Sequence, residues 1–166
     1  MAFNSFILII SCIFGIILGC VPPNCDRLDC GSCGNACCNM EYFFEAEPTM
    51  VYNKMVSTLK NGGPDGRYIE MPMAEGTVGF ADLRPYNKPV YWIGQVYHQT
   101  QSLTYNDTVD FTIAPNGNGT VVRINSISQI GGAYCDDGQN YKNVVTIVLG
   151  LKLNYQETNI LGCTPA

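Results

Sequence analysis

Five cysteines fall between Cys25 and Cys38, directly behind an uncharged apolar run, and this combination restricts the fold more than any other part of the chain. The run, Phe6 to Leu18, has the length of a signal-peptide core and gives way to Gly19-Cys20 and Pro22-Pro23. Residues 1–19 therefore read as an export signal. Thiols stay reduced in the cytosol and pair in oxidising compartments, so a cluster this dense belongs to a secreted or extracytoplasmic protein. Loss of the leader removes Cys12 and leaves Cys20, Cys25, Cys30, Cys33, Cys37, Cys38, Cys135 and Cys163 as disulfide candidates. Their connectivity cannot be deduced from spacing, and cleavage after Cys20 would leave an odd thiol.

Ile17-Leu18-Gly19-Cys20 also fits a lipobox, whose cleavage would leave Cys20 lipidated at the membrane surface. The first five residues carry no Lys or Arg, and an ordinary secretory signal is the preferred reading. An uncleaved membrane anchor is disfavoured, because about 13 to 15 apolar residues are short for a bilayer that needs roughly 20. Membrane contact is expected only through a lipid at Cys20.

The roughly 146 residues left after processing suit one domain with a core of its own. Nine Lys plus Arg are scattered from Arg27 to Lys152 in a chain of net charge −5. Phosphate binding needs a clustered basic face, so nucleic acid is excluded as a partner. Ten Tyr and seven Phe among many Val and Ile favour a sheet. Asn106-Asp107-Thr108 and Asn118-Gly119-Thr120 are glycosylation sequons in expected turns, meaningful if the host is a eukaryote.

Residues 20–47 read as a cysteine-rich, disulfide-stabilised arm with little apolar periodicity, and 48–166 as an α+β domain. Pro48 opens a helical pattern in which Val51, Tyr52, Met55, Val56 and Leu59 recur at three and four residues, and Asn61-Gly62-Gly63-Pro64 stops it. A helix is expected over 49–61. Short alternating or apolar runs at 67–71, 77–82, 90–99, 108–113 and 120–130 read as strands between Gly, Pro and Asn turns. The last two form a hairpin across Pro115-Asn116-Gly117-Asn118-Gly119. Residues 137–149 are ambiguous. Val144 to Leu149 is β-branched, yet Tyr141, Val144, Val145, Val148 and Leu151 share one helical stripe behind Asp137, a plausible N-cap.

Three segments together resemble the family known as domain of unknown function 1499. Cys20-Val21-Pro22-Pro23-Asn24-Cys25 is similar to its N-terminal Cys-Pro-x-x-Pro-Asn-Cys, one residue shorter, and Gly79-Phe80-Ala81-Asp82 to a strand ending in an aromatic and an acid. The run from Val121 to Gly131 followed by Asp137-Gly138-Gln139-Asn140 resembles a strand of alternating Arg and Ser, then Asp-x-Gly-x-Asn opening a terminal helix. The likeness covers roughly residues 20–151 and implies a helical last element. It departs in keeping only Arg123 of the family's basic strand, in the extra cysteines, and in an insert around Tyr91 to Tyr105. The expected fold is α+β, an antiparallel sheet of about four to five strands with two helices on one face.

Cys30-Gly31-Ser32-Cys33 has thiol-oxidoreductase spacing, but neither the preceding strand nor the following apolar helix of such sites is visible. An iron–sulfur loop fails because Gly63 stands where its fourth ligand belongs, and exported thiols would oxidise before binding zinc. Asp136-Asp137 lacks the spacing of a calcium loop. No metal or cofactor is expected. His98, the only histidine, lies in an apolar strand with no nucleophile motif and reads as half-buried. Tyr91, Trp92, Tyr97, His98 and Arg123 are the candidates for a ligand face, with a small apolar molecule or a protein as partner. The sequence thus indicates an exported binding or structural module of unidentified ligand rather than an enzyme. A thiol–disulfide oxidoreductase using Cys30 and Cys33 is the second reading.

Overall fold

The computed structural model describes residues 35–70, 79–102, 104–133 and 138–161, with no side chains from 158 onward. The leader, the segment 20–34, Asp136, Asp137, and all cysteines except Cys37 and Cys38 lie outside the described residues. Among the described residues, seven strands form one antiparallel sheet with two helices on one face, an α+β fold. In chain order these are β1 (Cys37–Phe44), α1 (Pro48–Leu59), β2 (Tyr68–Glu70), β3 (Phe80–Asp82), β4 (Trp92–Gln99), β5 (Asn106–Asn116), β6 (Gly119–Ser128), α2 (Gln139–Leu151) and β7 (Tyr155–Leu161).

The strand order is β2-β4-β5-β6-β1-β7, and β3 pairs with β4 beside β2. Four to five strands were expected, and the two that sequence reading lacks are β1 and β7. Residues 37–44, grouped by sequence with the cysteine-rich arm, lie between β6 and β7 as a full sheet strand. Cys38, Met40, Tyr42 and Phe44 alternate to the helix side and are all buried. That alternation was hidden because Asn39 and Glu41 are depleted in strands.

α1 begins with Pro48 in its first turn, where a missing N–H costs nothing, and buries Val51, Met55 and Leu59 at four-residue spacing. The chain then turns through Gly62, Gly63 and Gly66, all at positive φ. At Gly63 a Cβ would stand 2.1 Å from the Tyr68 ring, so only glycine fits.

α2 contains the β-branched run, yet it is a helix. Asn140, Asn143, Val144, Ile147, Val148 and Leu151 form its buried stripe. Tyr141 and Val145, expected on that stripe, are half-buried beside it. The N-cap is Gly138 at φ 79, where Asp137 was expected. The family likeness implied a helix as the last element; the helix is present, but β7 follows it and extends the sheet beyond β1. The helices cross at Gly150, where a Cβ would stand 2.3 Å from Pro64 and 3.2 Å from Thr58.

Candidate functional site

Register assigns every strand residue to one of two faces. Towards the helices point Trp92, Gly94, Val96 and His98 of β4, opposite Ile113, Phe111, Val109 and Asp107 of β5. Gly94 leaves room for Phe111, whose ring would lie 2.0 Å from a Cβ there, and Phe80 packs on Phe111 at 5.7 Å between centroids.

At the α2 end of this face the apolar core gives way to a polar network. The Asn143 side chain donates to Asp107 Oδ2 at 2.8 Å and to Ser126 Oγ at 3.0 Å, and its own Oδ1 accepts from Gln139. Ser126 Oγ donates to Asn140 Oδ1 at 2.6 Å, and Asn140 Nδ2 donates to the Ala36 carbonyl at 2.9 Å and to Ser128 Oγ at 3.1 Å. The Tyr68 hydroxyl donates to the Asn143 carbonyl at 2.5 Å. Satisfied partners of this kind are what buried polar groups require. Cys38, opposite Ser126 in register and 1% exposed, is disulfide-bonded.

His98 borders this network. Its Nε2 lies 3.0 Å from Asp65 Oδ2, and Tyr68 covers the ring at 4.6 Å. Partial burial raises the Asp65 carboxyl, but the His98 hydrogen bond, the Arg67 N–H and the charges of both residues outweigh it and hold the group below the ordinary carboxylate value. A carboxylate orienting an imidazole is the geometry of a general base, yet His98 is 1% exposed. The pair instead fastens the Gly62–Gly66 turn to β4.

The opposite face carries a polar row in register across four strands: Asn39, Asn125, Asp110 and Gln95. Gln95 donates to Asp110 Oδ1 at 2.5 Å. One row on, Arg123 Nε donates to Glu41 Oε2 at 2.7 Å, beside Thr112 and Ile93.

The residues singled out from sequence are thus divided. Tyr97 and Arg123 lie on the face away from the helices, half-buried and exposed. Trp92 and His98 point to the helix side. Trp92 stacks on Tyr52 of α1 at 4.8 Å and 11°, meets Tyr91 edge-on at 5.6 Å, and lies under the Arg84 guanidinium at 4.5 Å. Arg84 is held there by both carboxylate oxygens of Asp82. Asn106 and Asn118 are exposed at the two ends of β5.

Asp65, Asp107, Asn140 and Asn143 escaped sequence reading, although two asparagines on the apolar stripe of α2 were a usable signal. The polar row had none, because only register joins its members. Among the described residues no three His, Cys, Asp or Glu side chains converge on a common point, and no helix is long and apolar enough to cross a membrane. Comparison with protein-family models gives no match, and no curated protein is significantly similar to the chain.

Proposed function

We propose that this chain is an exported binding or structural module, stabilised by disulfides in residues 20–47 and at Cys135 and Cys163. One observation carries the reading: the imidazole and the network carboxylate are closed off while the other sheet face is open. His98 and Asp107 are buried at 1% and 4% exposure, whereas Arg123 is exposed and Glu41, Thr112 and Ile93 around it are half-buried. Recognition would use this reachable half, where an aliphatic side chain and a cation suit a protein surface or a small, largely apolar ligand. Glycans at Asn106 and Asn118 would project from the two ends of β5 and leave both faces clear. The disulfide at Cys38 supports the oxidised reading. The family likeness belongs to the same proposal, supported by the succession of β6 and α2.

Intact-mass spectrometry of the secreted product, before and after reduction and deglycosylation, tests this. The expected mass lacks residues 1–19 or 1–20, falls on deglycosylation, and rises on reduction by the hydrogens that each bridge had lost. A product that keeps the leader, or whose mass is unchanged by reduction, would overturn the reading.

A further inference from the structure

Asparagine precedes glycine at Asn61-Gly62, Asn116-Gly117 and Asn118-Gly119. In such a pair the main-chain nitrogen of the glycine can attack the asparagine side-chain carbonyl, because no Cβ stands in its path. All these asparagines are exposed. Exposure therefore does not separate them, and the state of the attacking nitrogen does.

At Asn61 both reacting groups are held. The Gly62 N–H donates to the Leu59 carbonyl at 3.0 Å, the Gly62 carbonyl accepts from the Tyr68 N–H at 2.9 Å, and the Asn61 side-chain amide donates to the Ser57 carbonyl at 3.3 Å. At Asn118 the attacking nitrogen belongs to Gly119, which is buried and pairs in register with Asn116 across the turn. That is the position whose N–H closes a two-residue hairpin. A Cβ on Gly119 would stand 2.4 Å from the Phe44 carbonyl oxygen, and the Thr120 hydroxyl beyond it donates to the Ala46 carbonyl at 2.6 Å. Gly119 cannot swing towards Asn118 without lifting the start of β6 off the chain that follows β1.

Asn116 is under no such restraint. Gly117 has φ 58 while Asn118 keeps a negative φ, the pattern of a type II′ turn, in which the N–H of the first central residue takes no part in the closing bond. Gly117 is exposed, and among the described residues neither its N–H nor the Asn116 side chain has a hydrogen-bond partner.

We propose that Asn116 is a self-modification site, the Asn-Gly step that the fold leaves reactive. The Gly117 nitrogen bonds to Asn116 Cγ, and its proton leaves with the side-chain amino group as ammonia, closing a five-membered imide. Water then opens the ring at one of its two C–N bonds. Opening at Cγ gives aspartate; opening at the main-chain carbonyl gives isoaspartate, whose backbone runs through the former side chain and is one methylene longer. Either product adds a negative charge to a chain of net charge −5. Isoaspartate also displaces the main-chain carbonyl opposite Gly119 and loosens the closing pair of the hairpin. Asn118, the sequon asparagine, keeps its amide while the hairpin is folded.

Peptide mapping of the full chain after incubation at mildly alkaline pH, once folded and once reduced in denaturant, tests this. The Asn-Gly steps should convert at similar rates in the denatured chain. Folding should slow Asn61 and Asn118 about tenfold or more, since each then needs a local opening, and should leave Asn116 nearly as fast as before. A glycan on Asn118 would block its own reaction, so Asn61, which lies in no sequon, is the comparison that holds in every host. Asn116→Gln, whose imide would be one atom larger, should remove the main acidic form on ion exchange and leave the melting temperature unchanged. Folding that slows Asn116 as much as Asn61, or an acidic form that builds up equally fast in Asn116→Gln, would overturn the proposal.

Discussion

The bond between Asp65 and His98 ties a turn built on three glycines to an inner strand, and it depends on an ionised carboxylate. Because the folded Asp65 titrates below its ordinary value of 3.8, its contribution to stability is present above that pH and is lost as pH falls through the lower folded value. Thermal unfolding followed from neutral pH towards pH 2 should show this loss only at the acid end, about pH 4 and below, and Asp65→Asn should flatten it. Gly94 poses a steric constraint. Its backbone is ordinary, but Phe111 occupies the space of a Cβ at 2.0 Å. Gly94→Ala should cost about 1–3 kcal/mol in urea unfolding, and pairing it with Phe111→Leu should recover part of the loss.

α2 shows, at the level of the element, what burial can impose on propensity. Val144-Val145-Thr146-Ile147-Val148 favours strand, since β-branched side chains lose χ1 freedom in a helix. The helix wins because its stripe meets the sheet through Val144, Ile147, Val148 and Leu151 while Asn140 and Asn143 find partners in Ser126, Ser128 and Asp107. A peptide of residues 138–152 should therefore show little helix by circular dichroism in water, where that sheet is missing. Within the protein, Asn143→Ala leaves Asp107 short of a buried donor and should destabilise the fold by about 1–3 kcal/mol, measured by chemical denaturation.

For the whole molecule, two buried phenols couple the core to alkaline pH. Tyr42 is raised above its ordinary 10.0 by burial and then by Glu157, and Tyr68 by burial and then by Asp65. A raised folded value means stability that is complete below pH 10 and is lost as pH rises beyond it. Phenolate absorbance from these two should therefore appear together with the shift in Trp92 emission on unfolding. The sequence by itself determined α1 and the β5–β6 hairpin, because each is specified by periodicity and turn residues within a short stretch, whereas it left α2 between strand and helix. It also marked Tyr97, Arg123 and His98, but not which face each would occupy. Tertiary structure decided the rest: β1 became a sheet strand despite its cysteines because Met40, Tyr42 and Phe44 could bury against α2 and β6. The polar row and the Asp65–His98 bond exist only through pairing of distant segments, since register is set by which hydrophobic faces must meet and no local stretch carries that information.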